Sequence, residues 1–92
     1  MRSIDLTPYQ VGNIGSFDVR NNLIALLSSG QNDVYTMLQR RDVAVKIQQW
    51  PNANLSLDEQ EYLVLLKSIV EFQKFEAKDI TMIDRVLGAP KE

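Results

Sequence analysis

Apolar and polar residues alternate through Ile4-Asp5-Leu6-Thr7, the period of a strand whose successive side chains leave opposite faces. Pro8 follows and brings no N–H to a ladder, so the spacing predicts an edge strand or a lead-in. Tyr9-Gln10-Val11 and Phe17-Asp18-Val19 alternate in the same way. Between them lies Gly12-Asn13-Ile14-Gly15-Ser16, where glycine can supply positive φ angles, so a β-hairpin with a loop of several residues is expected. A hairpin alone is marginal in water and must pack on helices.

Beyond Val19 the period lengthens to that of a helix. A first helix is expected from about Asn22 to Ser28, capped by Asn21 or Asn22, with Val19, Leu23, Leu26 and Leu27 on one face. Ser28-Ser29-Gly30 ends it. Asn32 is the next N-cap candidate, with Asp33 in the first turn, where negative charge suits the helix dipole. Val34, Met37 and Leu38 form one stripe; Val43, Ile47 and Trp50 form another, out of phase by a residue. A bend or break near Arg40-Arg41-Asp42 would reconcile them. Trp50 precedes a proline and is pushed out of helical geometry, and Pro51-Asn52-Ala53-Asn54 reads as a loop.

Ser56 and Glu59 have the spacing of a capping box and predict a helix from Leu57 to about Gln73. Its apolar residues, Tyr62 through Leu66, Ile69, Val70 and Phe72, are wider than one stripe. Only Glu61, Lys67, Ser68, Glu71 and Lys74 form a solvated strip, so the helix is central to the domain or half buried in an oligomer. A last helix should run from Lys78 or Asp79 to Leu87, with Ile80, Ile83, Val86 and Leu87 on one face. Gly88 and Pro90 stop it, and residues 89–92 form a frayed tail. The expected fold is mainly α: one compact helical domain over residues 1–92, of four to five helices, with a short N-terminal β-hairpin across one side. The expected core is Leu23, Leu27, Leu38, Ile47, Leu65, Leu66, Ile69, Ile83 and Val86.

Composition then narrows the function. The 92 residues suit one domain, and the 45% hydrophobic and 24% charged fractions are those of a globular chain. The net charge is −2 with the two signs interspersed, so a broad electrostatic footprint for nucleic acid is missing. No stretch has the ~20 apolar residues needed to span a bilayer, and the start of the chain has no apolar signal core. Cysteine is absent, which removes disulfides and thiolate metal sites and favours a cytoplasmic setting.

Histidine is absent too, so the side chain that most often moves protons near neutral pH is missing. The serines at 3, 16, 28, 29, 56 and 68 lie in no nucleophile-elbow pattern, and no phosphate-cradling glycine loop occurs. Asp58, Glu59 and Glu61 are acids in a first helical turn, where they complement the dipole, and not a metal cluster. The expectation is a non-enzymatic protein without cofactor.

Arg40-Arg41, with Lys46 nearby, is the basic cluster of the chain. It reads as a solvated helix face, as a contact for an acidic protein, or as a phosphate contact. Trp50, Phe72 and Phe75 are large residues near element ends; they read as core closure or as aromatic anchors for a partner. Arg40, Arg41, Trp50, Phe72 and Phe75 are therefore the candidate partner-binding residues. An alternative is a small DNA-binding regulator using the C-terminal helix pair across the turn Phe75-Glu76-Ala77-Lys78. Its second helix would offer bases Lys78 and Arg85 but also Asp79 and Asp84, so nucleic acid is the weaker partner.

The opening Ile4-Asp5-Leu6, the hairpin leading into Val19-Arg20-Asn21, the stretch Glu61-Tyr62 through Phe72 and the ending Asp84 to Pro90 resemble small proteins of tailed phages and prophages. That resemblance covers most of the chain and implies an assembly or regulatory subunit, in the host cytoplasm or the virion. It would act by binding a protein partner or a second copy of itself. It implies no functional residues.

Overall fold

The computed structural model describes residues 1–13, 15–30 and 32–91. In chain order they form β1 (Arg2–Asp5), β2 (Tyr9–Val11), β3 (Gly15–Phe17), α1 (Val19–Leu27), α2 (Val34–Gln49), β4 (Asn54–Leu57), α3 (Glu59–Glu71), a 3₁₀ turn (Ala77–Asp79) and α4 (Ile80–Leu87). The chain is a small α/β domain with two separate two-stranded antiparallel sheets, β1–β4 and β2–β3. This corrects the mainly α expectation: the hairpin is present, but a second sheet stands beside it.

That second sheet is where the sequence reading fails. Asn54-Leu55-Ser56-Leu57 alternates as a strand does, with Leu55 and Leu57 fully buried. Reading Ser56 as a helix cap hid that period. β4 pairs with β1 so that Ile4 lies opposite Leu55 and Arg2 opposite Leu57. The lead-in strand thus has a partner about fifty residues away, which local patterning cannot show. On the other side of β1 the Ser3 N–H donates to the Pro90 carbonyl at 3.1 Å and Arg2 bridges to Lys91. The expected frayed tail is therefore tied down at least to Lys91, and Ala89 is buried.

The hairpin has Tyr9 opposite Phe17 and Val11 opposite Gly15, with the two aromatic rings stacked at 4.8 Å. Gly12 and Gly15 hold φ of 47° and 118°, conformations that favour glycine. Ile14, in the predicted loop, lies outside the described residues. Val19 is not in a strand but opens α1, capped by Asp18, whose carboxylate accepts the Asn21 N–H at 3.1 Å. The cap is three residues earlier than Asn21 or so expected, because Asp18 alone holds the extended φ,ψ of a cap.

α2 runs unbroken from Val34 to Gln49, capped by Asp33 and not Asn32. The bend expected near Arg40 is absent because the two stripes do not share a core. Arg40, Val43, Ala44 and Ile47 face inward, while Val34, Met37 and Leu38 face out. Trp50 does leave helical geometry, with ψ at 128°. The capping box of α3 belongs to Asp58 and Glu61: the Glu61 N–H donates to Asp58 at 2.8 Å and the Asp58 N–H to Glu61 at 2.9 Å.

α3 buries Tyr62, Leu65, Ser68 and Ile69, and the expected solvated Ser68 instead donates to the Val64 carbonyl at 3.0 Å. α4 buries Met82 and Val86, whereas Ile80 and Leu87, expected inward, are about half exposed. The core thus joins Ile4, Leu55 and Leu57 of the sheet to Leu23, Ile47, Leu65, Met82 and Val86 of the helices. Leu38 lies outside it, and Leu66 and Ile83 pack at its margin.

Candidate interaction surface

The five candidate residues separate into two kinds. Arg40 is only 5% exposed, and its Nη2 donates to the Glu71 carboxylate at 2.6 Å, tying α2 to the end of α3. Arg41, one residue on, points to solvent and pairs with Asp42 at 3.3 Å, both side chains largely exposed. Such a pair contributes ~0–1 kcal/mol, so Arg41 is free to serve another partner. The adjacent arginines are therefore not one basic patch.

Trp50 is half-buried, and its ring has a structural task. The Leu6 N–H donates to the Ala53 carbonyl at 2.6 Å, so by the alternation of an antiparallel ladder Leu55 and Leu57 bond toward β1. Asn54 and Ser56 then turn their backbone groups to the open edge of β4. The Trp50 indole N–H donates to the Asn54 carbonyl at 2.8 Å, and the Asn54 N–H donates to the Asn52 side chain at 3.0 Å. An edge strand invites pairing with other chains; here a tryptophan and an asparagine occupy both backbone groups of Asn54. Phe72 and Phe75 pack on each other at 4.7 Å and on the core margin. All three aromatics are partly buried against the core.

The structure instead exposes an apolar row along α2, of which the sequence reading had placed Leu38 in the core. Val34 and Tyr35 are 72% and 71% exposed, and Met37, Leu38 and Val45 follow along α2. Met37, Leu38, Ala44 and Val45 form one wall of a groove of about 500 Å³, and Ile24 and Leu27 of α1 form the other. Arg41 is the charged residue on its lining. The signal in the sequence was the phase slip between the α2 stripes: one stripe was core, the other was surface.

The basic residues needed by a DNA reading are dispersed. Arg85 turns inward, its Nη1 donating to the Thr7 carbonyl at 2.6 Å and the Asp5 carbonyl at 3.2 Å, with its guanidinium 5.1 Å from the Tyr9 ring. Lys78 lies 4.0 Å from Glu76. Arg20 clamps the end of α2 by donating to the carbonyls of Ile47, Trp50 and Asn52.

Titratable groups serve the fold in the same way. Hydrogen bonds from the Thr7 side chain and backbone hold Asp5 below the ordinary carboxylate range, with Arg85 adding to the effect. Thr36 lowers Asp33 by the same means, and burial raises the Tyr9 phenol. Among the described residues no cluster of three or more acids could hold a metal ion, and no helix is long and apolar enough to cross a membrane. No family model, curated protein or solved structure matches the chain.

Proposed function

We propose that this chain is a non-enzymatic protein–protein interaction module that receives an amphipathic helix of a partner protein in the groove between α1 and α2. The carrying observation is the apolar row of Met37, Leu38 and Val45, open to solvent beside Ile24 and Leu27. Exposed apolar residues contiguous along one groove mark an interaction site more than scattered ones do.

Size and charge argue for the occupant. From Met37 to Gln48 the groove follows α2 for about 16 Å, roughly three helical turns. A standard interface needs about 800 Å² from each partner, far more than a strip one helix wide over that length. A single helix laid in a groove needs less and meets it with residues spaced by three and four. Arg41 on the lining asks for a carboxylate on that helix. Such a module suits an assembly or regulatory subunit of a tailed phage, working in the host cytoplasm or the virion.

Affinity purification of the tagged chain from its native cell tests this, using Leu38→Glu, Val45→Glu and Arg41→Glu alongside Thr81→Glu on the outer side of α4. A protein retained by the wild type and by Thr81→Glu, but lost from all three groove variants, supports the reading. Equal retention by every variant contradicts it. A doubling of the 10.5 kDa mass in solution that Val45→Glu abolishes would give the groove to a second copy instead.

A further inference from the structure

A second cavity lies on the other side of the α1–α2 loop. It has a volume of about 480 Å³, within the ~300–1,000 Å³ of small-ligand sites. Arg40, Glu71, Phe72, Gln73 and Lys74 line it, together with Ser29, Gly30 and Asn32. It shares Ser29, Gly30 and Asn32 with the helix groove but faces the end of α3.

Arg40 is the unusual occupant. Its guanidinium is more than nine-tenths buried, yet among the described residues it makes one hydrogen bond, from Nη2 to Glu71. Among the described residues Nε and Nη1 find no acceptor. No buried polar side-chain atom of the described residues is left both without a partner and sealed from solvent, so these nitrogens open on the cavity that Arg40 lines. A guanidinium matches planar oxyanions with its fork of N–H groups.

We propose that this cavity binds a carboxylate, held by the free edge of Arg40 and by Lys74, with Phe72 forming the wall for its apolar body. The charge count favours one negative charge over two. Arg40 and Lys74 stand against Glu71, leaving one net positive charge. The C-terminal end of α3, at Phe72, borders the same space and carries partial negative charge. A phosphate dianion meets more repulsion there than a carboxylate does. The site shares Ser29, Gly30 and Asn32 with the helix groove, but the residues proposed to hold the carboxylate, Arg40, Phe72 and Lys74, do not line that groove.

The carboxylate can belong to a free organic acid or to the end of a peptide, and one titration separates the sources. Benzoate added to ¹⁵N-labelled protein should give saturable NMR shifts at the backbone amides of Gly30, Gln73 and Lys74 and at the Arg40 Nε–H. Benzamide and inorganic phosphate should not. Lys74→Gln, a surface change that leaves the fold alone, should weaken benzoate several-fold. Arg40→Lys keeps the charge but loses the fork, and should weaken it about tenfold. A short peptide with a free C-terminus that shifts the same amides, where its amidated form does not, assigns the chain-end source; benzoate alone shifting them assigns the free acid. Shifts that never saturate, that benzamide reproduces, or that Lys74→Gln leaves unchanged overturn the proposal.

Discussion

Single side chains in this molecule satisfy backbone groups at a distance. Arg20 is the clearest case, since its guanidinium donates to three carbonyls at the end of α2 and around the Pro51 turn. Hydrogen bonds to a charged group are worth about 1.5–3 kcal/mol each, part of which water regains when the group is removed. Arg20→Ala should cost about 2 kcal/mol in urea unfolding, although the sequence presents Arg20 only as a polar residue just before the first expected helix. Asp5 and Asp33 link stability to pH. Their folded pKa values are lowered, so their contribution is complete above the unfolded carboxylate value of ~3.9 and is lost as pH falls through the folded values. The urea midpoint should be flat from neutral pH to about 5 and decline below about 4. Asp33→Asn keeps a good cap but no longer titrates, so its decline should be shallower; an unchanged slope would remove Asp33 from the account.

At the scale of elements, α2 has two faces with opposite consequences. Ile47 is fully buried, and Ile47→Ala should cost ~2–5 kcal/mol. Leu38→Lys and Val45→Lys, on the outer row, should change stability by only ~0.5 kcal/mol. Equal losses on both faces would mean that the row is not free. β4 gives a second prediction. Trp50→Ala uncovers the Asn54 carbonyl and opens the edge, so thioflavin-positive aggregation should rise even where the monomer still folds. The helices were legible because capping and apolar spacing are local: Asp58 with Glu61 is a capping box two residues along from the one expected at Ser56 and Glu59. β4 was not legible. Its four residues alternate, but only their pairing with Ile4 and its neighbours fifty residues earlier makes them a strand.

For the whole molecule, the sheet β1–β4 and the tail at Pro90 tie the two ends of the chain together, while the helices enclose the core between them. The interaction surface was half legible. Arg41 and the stripe Val34, Met37 and Leu38 stood out in the sequence, but periodicity cannot say which of two stripes faces inward when both are apolar. Arg40 looked like the twin of Arg41, and only burial separates the roles of these neighbours. The central claim is that the row on α2 meets another protein, and site-specific photo-crosslinking in the native cell tests it most directly. A photoreactive residue placed singly at Met37 or Val45 should give one and the same discrete adduct, and the same residue at Thr81 should give none. Adducts absent from positions 37 and 45, or identical from all three, would contradict the account.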